Sequence, residues 1–261
     1  MRIALLSDIH GNLIALDAIL ADINTQGGVD AYWLLGDLVA IGAQPVAVLE
    51  RIHQLPNLCA VRGNTDRYTT TLDRPAPTPD DVRADPSLLP VFAEVTACFA
   101  WTQGALAATG WLPYLDALPL AQRLTLPDGT RLLGVHASPA NDDGQGLHPY
   151  VDDEELLTML TGCEADLICG GHTHWPMNRR VGGYHVVNLG SVSNPLTPDL
   201  LASYVLLRAD ASCYRIEHRR VDYDRAAVTA AIRQMRHPAG EYIIGLLQGR
   251  HVRHTWGEPV V

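Results

Sequence analysis

The stretch LLSDIHGNLIALDAIL, residues 5–20, carries three messages in sixteen positions. An apolar run, Ile3–Leu6, is short enough for a strand buried on both faces. It gives way at once to Asp8 and His10 in SDIHGN. Leu13, Leu16, Leu20 and Ile23 then recur at helical spacing, so one apolar stripe faces a core. A second apolar run, Ala31–Leu35, follows the helix. Strand, helix and strand within about 35 residues make a βαβ unit, with polar chemistry at the end of its first strand.

Working outward, the same short runs recur at Leu58–Val61, Leu132–Val135, Asp166–Cys169 and Tyr184–Val187. Arg123–Leu126 and Thr130–Val135 flank Pro127-Asp128-Gly129, a hairpin turn. Ser203–Leu207 and Cys213–Arg219 read as a second antiparallel pair, and Tyr223–Met235 as a helix. An α/β fold with mixed sheets follows. Pro75, Pro77, Pro79, Pro86, Pro90 and Pro113 interrupt the rhythm around a helical stretch at Leu89–Ala108. A Pro-rich helical insertion at about 68–118 is expected there, over one sheet edge, as a lid or a surface elaboration. The chain is otherwise read as a single domain over 1–261, and the polar tail after Gly249, with His251 and His254, as mobile.

Five strands end in the same kind of event. Asp8 and His10 follow the first, and Gly36-Asp37 the second. Gly63-Asn64-Thr65-Asp66 follows the third, His136 the fourth, and CGGHTHWP with His172 and His174 the fifth. Loops at the carboxyl ends of adjacent strands converge in α/β proteins. On an extended backbone, residues two apart point to one side, which pairs Asp8 with His10 and His172 with His174. Any one of these residues alone is commonplace; the ordered set is not. Mixed carboxylate and imidazole donors suit Mn, Fe, Zn, Co or Ni. Seven donors exceed the needs of one such ion once water is added, so two ions sharing a carboxylate fit better.

These motifs resemble the calcineurin-like metallophosphoesterase superfamily, in Asp8-Ile9-His10, Gly36-Asp37, Gly63-Asn64-Thr65-Asp66, Val135-His136-Ala137 and Gly171-His172-Thr173-His174. The likeness spans residues 3–195. Segments such as GDLVAIGAQP, HASP, GHTHWP and NLGSVSNP resemble its bacterial and archaeal phosphodiesterase-like branch. The resemblance implies a four-layer α/β/β/α sandwich with two mixed sheets. It implies one metal on Asp8, His10 and His174, a second on Asn64, His136 and His172, and Asp37 bridging both. It also implies attack on phosphorus by a metal-bridging hydroxide, with Asp37, Asn64, Thr65 and Asp66 as candidate catalytic positions.

Thr65 departs from the family pattern, where His is common and is thought to assist the leaving group. An aliphatic hydroxyl is no general acid near neutral pH, although it can hydrogen-bond a water or a phosphate oxygen. Activated or aryl phosphodiesters are therefore expected over alkyl monoesters. Asn12, where the first helix begins, is a candidate phosphate contact or an N-cap. Arg62 and His148 complete the candidate substrate-binding set, His148 as a replacement acid. His53, His185, His218 and His237 lack motif contexts and read as structural. Asp152-Asp153-Glu154-Glu155 reads as the first turn of a helix.

Composition narrows the partners. Of 261 residues, 29 are acidic and 19 are Lys or Arg, for a formal net charge of −10. That balance argues against nucleic acid and anionic lipid, which need clustered cations, and leaves a small phosphorylated substrate and a homo-oligomer open. No apolar run reaches the roughly 20 residues that span a bilayer. MRIALLSD is too short for a signal peptide and lacks a cleavage pattern. Five cysteines without a C-x-x-C pair fit a reducing cytoplasm. The competing functions are a phosphomonoesterase, including a protein serine/threonine phosphatase, a nuclease, and a non-catalytic scaffold like the retromer subunit of this fold.

Overall fold

The computed structural model of the chain describes residues 1–250; His251 and His254 of the expected tail lie outside the described residues. The first half runs β1 (Arg2–Leu6), α1 (Leu13–Thr25), β2 (Ala31–Leu35), α2 (Pro45–Ile52), β3 (Leu58–Val61) and α3 (Asn64–Thr70). Then come α4 (Pro79–Ala84), a 3-10 turn at Pro86–Leu88, α5 (Leu89–Thr109) and α6 (Leu112–Asp116). The second half holds β4 (Ala121–Thr125), β5 (Arg131–Val135), α7 (Asp153–Met159), β6 (Leu167–Gly170), β7 (Pro176–Val181) and β8 (Tyr184–Leu189). It closes with β9 (Ala202–Ala209), β10 (Tyr214–Val221), α8 (Arg225–Gln234) and α9 (Gly240–Leu247).

Two five-stranded mixed sheets result, ordered β10-β9-β1-β2-β3 and β4-β5-β6-β8-β7. β1, β2 and β3 are parallel, as are β5, β6 and β8; β9, β10, β4 and β7 pair antiparallel at the flanks. Period-two alternation sorts each strand between two cores. Ile3, Leu5, Trp33, Leu35, Val205 and Leu207 of the first sheet meet Leu132, Leu167, Cys169, Val187 and Leu189 of the second. Their neighbours Ala4, Leu6, Tyr32, Leu34, Tyr204 and Leu206 turn outward onto α1, α2 and α8. On the far side Leu133, Val135, Ile168 and Val186 pack on Leu156 and Leu160 at α7. Helix, sheet, sheet, helix is the order of the layers, with all three interlayer cores apolar as burial of each sheet on two faces demands.

Local signals explain the boundaries. Asn12 caps α1 by accepting from Ala15 N at 3.1 Å, and Ala15, Leu16, Ile19, Leu20 and Ile23 form its buried face. Asp152 caps α7 by accepting from Glu155 N at 2.8 Å, with three acids in the first turn. The Pro127-Asp128-Gly129 turn closes through Leu126 N to Thr130 O at 2.8 Å. The helix expected over Tyr223–Met235 starts at Arg225, because Asp224 takes the N-cap and accepts from Ala227 N. β7 and α9 escape the sequence reading. β7 is an edge strand whose Asn178 and Arg180 face solvent, and α9 carries Gly240 and Gly245, which mask its apolar face.

Gly104 lies on the exposed side of α5, with nothing within 4 Å of an added methyl and no positive φ. Gly104→Ala is therefore expected to stabilise the fold by about 0.5–1 kcal/mol, through lost freedom of the unfolded chain. A rise of about 1–4 °C in Tm by calorimetry is the matching readout. Among the described residues no helix is long and apolar enough to cross a membrane.

Candidate metal centre

All seven candidate ligands gather at the carboxyl ends of the parallel strands of both sheets. Asp8 N donates to Gly36 O at 3.1 Å and His10 N to Asp37 O at 2.9 Å, tying the β1 loop to the β2 loop. Gly171 N donates to His136 O at 2.9 Å, and Ser193 N to Asp8 O at 3.1 Å. His172 N reaches across the sandwich to both Asp8 carboxylate oxygens, at 3.2 and 3.1 Å. The two sheets are thus stitched together where the chemistry sits.

The expectation of extended Asp8-x-His10 and His172-x-His174 segments is corrected here. Asp8, His10, Asp37, His172 and His174 have φ of 58°, 47°, 54°, 69° and 58°. Left-handed backbone at non-glycine residues is uncommon and costs energy, and it concentrates at functional sites where the surroundings over-determine it. The sharp turn after each strand aims the side chain back over the strand end, which an extended path would not do.

Two trios of ligand atoms lie within 4.8 Å of one another, Asp8/His10/His174 and Asp8/Asp37/His136. The first is the set the resemblance assigns to one ion. Asn64 and His172 join the other side: Asn64 Oδ1 lies 3.0 Å from both His136 Nε2 and His172 Nδ1. Asp37 stands between the halves, Oδ1 3.3 Å from His136 Nε2 and Oδ2 3.7 Å from His10 Nε2.

Backbone carbonyls decide which ring nitrogen faces inward. His136 Nδ1 meets Leu35 O at 2.7 Å, His174 Nδ1 meets Asn194 O at 2.7 Å, and His172 Nε2 meets Gly144 O at 2.7 Å. A carbonyl only accepts, so each of those nitrogens carries the proton and the opposite one presents a lone pair. The inward lone pairs then face other acceptors. His174 Nε2 is 3.2 Å from Asp8 Oδ1, and His136 Nε2 is 3.3 Å from Asp37 Oδ1. Acceptors converging on one another in a dry site require a positive charge between them, and an imidazole oriented by a carbonyl is the usual partner of a metal.

The titration behaviour agrees. Against the cost of burial, the Asp37 carboxylate pushes His136 up to about 10. Burial raises the Asp37 pKa, but His136 and the other imidazoles hold it well below the carboxylate range. Burial pushes His10 down to about 4. The cluster holds its acids ionised and draws protons where no other cation sits. The donor set therefore fits divalent transition ions. Adding Mn²⁺ at a hundredfold excess over its Kd is expected to raise stability by about 2.7 kcal/mol. By thermal melt that is roughly 5–10 °C for a chain of this size, and EDTA reverses it.

The remaining candidates sit as follows. Thr65 is buried; its hydroxyl donates to Val39 O at 3.0 Å and its backbone N–H to Asp37 Oδ1 at 2.9 Å. Asp66 accepts from Leu38 N, Val39 N and Gly63 N, clamping the β2 and β3 loops together. Burial and the nearby Asp37 charge raise its pKa, while those donors pull it back. Asn12 Nδ2 points to Ser193 Oγ at 3.3 Å while its Oδ1 caps α1. Arg62 Nε meets Asp142 Oδ2 at 2.8 Å. His148 is buried beside the rings of Tyr150 and Trp175 and accepts from Tyr150 N at 3.2 Å.

Sequence reading missed the supports. Asp142, 3% exposed, takes both Arg62 and Arg67. Arg67 also binds Asp143, so the loop whose Gly144 carbonyl orients His172 is anchored to β3 and α3. Asn188 Nδ2 binds Leu147 O, Gly171 O and Thr173 Oγ1, fixing the His-x-His turn. The one available signal was the Asp142-Asp143-Gly144 string, an acidic turn facing two arginines of the β3–α3 segment.

A family model for the calcineurin-like phosphoesterase superfamily domain matches residues 1–212. An uncharacterized protein of Methanocaldococcus jannaschii is 31% identical over 240 residues, covering 85% of this chain and 88% of its own. The crystal structure of a metallophosphoesterase from Sphaerobacter thermophilus superposes with a TM-score of 0.71 at 27% identity, covering 95% of this chain and 98% of that one. A hypothetical protein from Pyrococcus horikoshii gives a TM-score of 0.77 at 22% identity over 94% and 97%, a likeness of fold. A symmetrical bis(5'-nucleosyl)-tetraphosphatase of Yersinia pestis is 43% identical over 69 residues, 26% of this chain and 24% of its own.

Proposed function

Because the chain belongs to the calcineurin-like phosphoesterase superfamily, we propose that it hydrolyses phosphodiester bonds in a small phosphorylated substrate with two divalent transition ions, manganese foremost. When bound, such ions supply Lewis acidity for phosphoryl oxygens and water of lowered pKa. Asp8, His10 and His174 would hold one ion, Asn64, His136 and His172 the other, and Asp37 both. The chain's own residues do the rest. The Leu35, Gly144 and Asn194 carbonyls keep three imidazoles in the ligating tautomer. Thr65 N–H fixes the Asp37 carboxylate, and Asp66 holds the two loops at constant separation.

The observation that carries the choice of diester is Thr65. Its proton is committed to Val39 O, 3.0 Å away, so position 65 supplies no acid to a departing alkoxide. Leaving groups that depart as stable anions suit such a site: phenolates, or the phosphate of an anhydride. That second case is favoured by the short match to the tetraphosphatase, and it shares the same chemistry. Five cysteines without a C-x-x-C pair support a cytoplasmic setting.

The test is a panel of bis-4-nitrophenyl phosphate, a dinucleoside tetraphosphate, 4-nitrophenyl phosphate and glycerol phosphate, each with Mn, Ni, Co, Zn and Mg. Aryl diester turnover well above glycerol phosphate turnover is expected. Efficient turnover of glycerol phosphate overturns the reading in favour of a phosphomonoesterase.

A further inference from the structure

A cavity of about 390 Å³ opens beside the candidate metal centre. α3 contributes Asn64, Thr65 and Tyr68, α5 contributes Val95 and Phe99, and α9 contributes Ile243. Asn64 belongs to both places, since its Oδ1 also lies 3.0 Å from His136 Nε2 and His172 Nδ1. The cavity and the candidate centre therefore share Asn64 as a common wall.

The walls state what that group is. Glu94 is the one charged residue among the described lining side chains, and the Arg74 guanidinium over the Phe99 ring, 5.6 Å from its centroid, is already taken by the Tyr68 and Thr71 carbonyls. Phe99 and Tyr68 stand edge to face at 5.6 Å and form a rigid aromatic corner with Val95 against it. Val91 also lines the cavity, and it is 49% exposed. The volume is at the small end for a bound small molecule, enough for one ring system and its attachment.

We infer that this cavity is the specificity pocket for a flat, neutral aromatic ester group of the phosphodiester substrate, an aryl or a nucleoside component, walled by α5 and α9. The inference rests on the phosphodiesterase reading for its reaction and on the cavity for its selectivity. It also assigns a use to the helical segment around α5, whose part in the protein the motifs leave open.

The experiment compares 4-nitrophenyl diesters of phosphate that share one leaving group and differ in the second ester: methyl, phenyl or thymidine. With the metal-supplemented protein, kcat/KM for the phenyl or thymidine diester should exceed that for methyl by about ten- to hundredfold, the range sustained by burying one ring. Preference for phenyl identifies an aryl occupant, and preference for thymidine a nucleoside. Val95→Trp, which fills the cavity, should cut that ratio at least fivefold. Val91→Asp, at an exposed position that tolerates a charge, should lower it in the same direction if the first variant does not fold. Equal kcat/KM for all three diesters, or a ratio unmoved by the folded variants, overturns the inference. Titration calorimetry with phenylphosphonate and methylphosphonate separates the two readings. If no diester turns over but phenylphosphonate binds tenfold tighter and Val95→Trp removes the difference, the reaction assignment falls and the pocket stands. Equal binding of the two phosphonates overturns the pocket.

Discussion

Asp37→Asn is expected to lower kcat/KM for an aryl phosphodiester by about 10³ or more, the scale of several kcal/mol of lost charge stabilisation. The substitution is nearly isosteric, so packing around the residue, which is 3% exposed, should survive. The chemistry does not survive. Asp37 Oδ1 faces His136 Nε2 and Oδ2 faces His10 Nε2, so this one carboxylate addresses both halves of the cluster. An amide loses the negative charge and turns one of the two oxygens into an N–H₂ donor with no lone pair for a cation. Metal analysis of the purified variant should show less than the two ions per chain expected of the wild type. The rise in Tm on adding Mn²⁺ should shrink or vanish. A variant that keeps wild-type metal content and turnover would remove Asp37 from the centre and favour a scaffold instead.

What the sequence revealed, and what it hid, divides along physical lines. The strands at Ile3–Leu6, Ala31–Leu35 and Leu58–Val61 were legible because burial on both faces leaves a run of apolar residues with no polar face to alternate. The candidate ligand positions were legible because a metal would constrain side-chain type, and carboxylates and imidazoles at successive strand ends are improbable otherwise. Backbone geometry was hidden. Nothing in Asp8, His10, His172 or His174 as residue types announces a left-handed φ; non-glycine residues seldom adopt one, and only the surrounding turns enforce it. The groups that orient the imidazoles were hidden for a related reason. Leu35, Gly144 and Asn194 act through their carbonyls, and every residue has one. The Arg62–Asp142–Arg67 clamp is a pairing across about 80 residues of chain, so the Asp142-Asp143-Gly144 string marks an acidic turn without naming its partners. α9 was concealed by its glycines, and with it one wall of the cavity beside Asn64.

Gly171→Ala carries the other large expected effect, and it tests the same centre through the backbone. Gly171 precedes the His172-Thr173-His174 turn, and its φ is not in the left-handed region, so an alanine is conformationally acceptable there. Space is the obstacle. A methyl at this position would lie 1.9 Å from Ser7 Oγ and 2.5 Å from Asp8 Oδ2. Neither neighbour has room to retreat: Ser7 and Asp8 are fully buried, and Ser7 Oγ donates to Leu35 O at 2.7 Å. The strand end must therefore move away from β1, carrying His172 and His174 with it and breaking the bonds from His172 N to the Asp8 carboxylate. Overpacking of this kind costs about 1–3 kcal/mol of stability, and the displaced imidazoles should weaken metal affinity by about 10²-fold or more, at or beyond the scale of losing an orienting partner. Titration calorimetry with Mn²⁺ and a denaturant melt read the two effects separately. Gly104→Ala, on the exposed side of α5, should leave the Mn²⁺ affinity unchanged, because its methyl meets nothing. Wild-type Mn²⁺ affinity in a folded Gly171→Ala protein would mean that the His-x-His turn is not part of the ligand cage. The close packing of β1 against β6 at Ser7, Asp8 and Gly171 would then serve only to join the sheets.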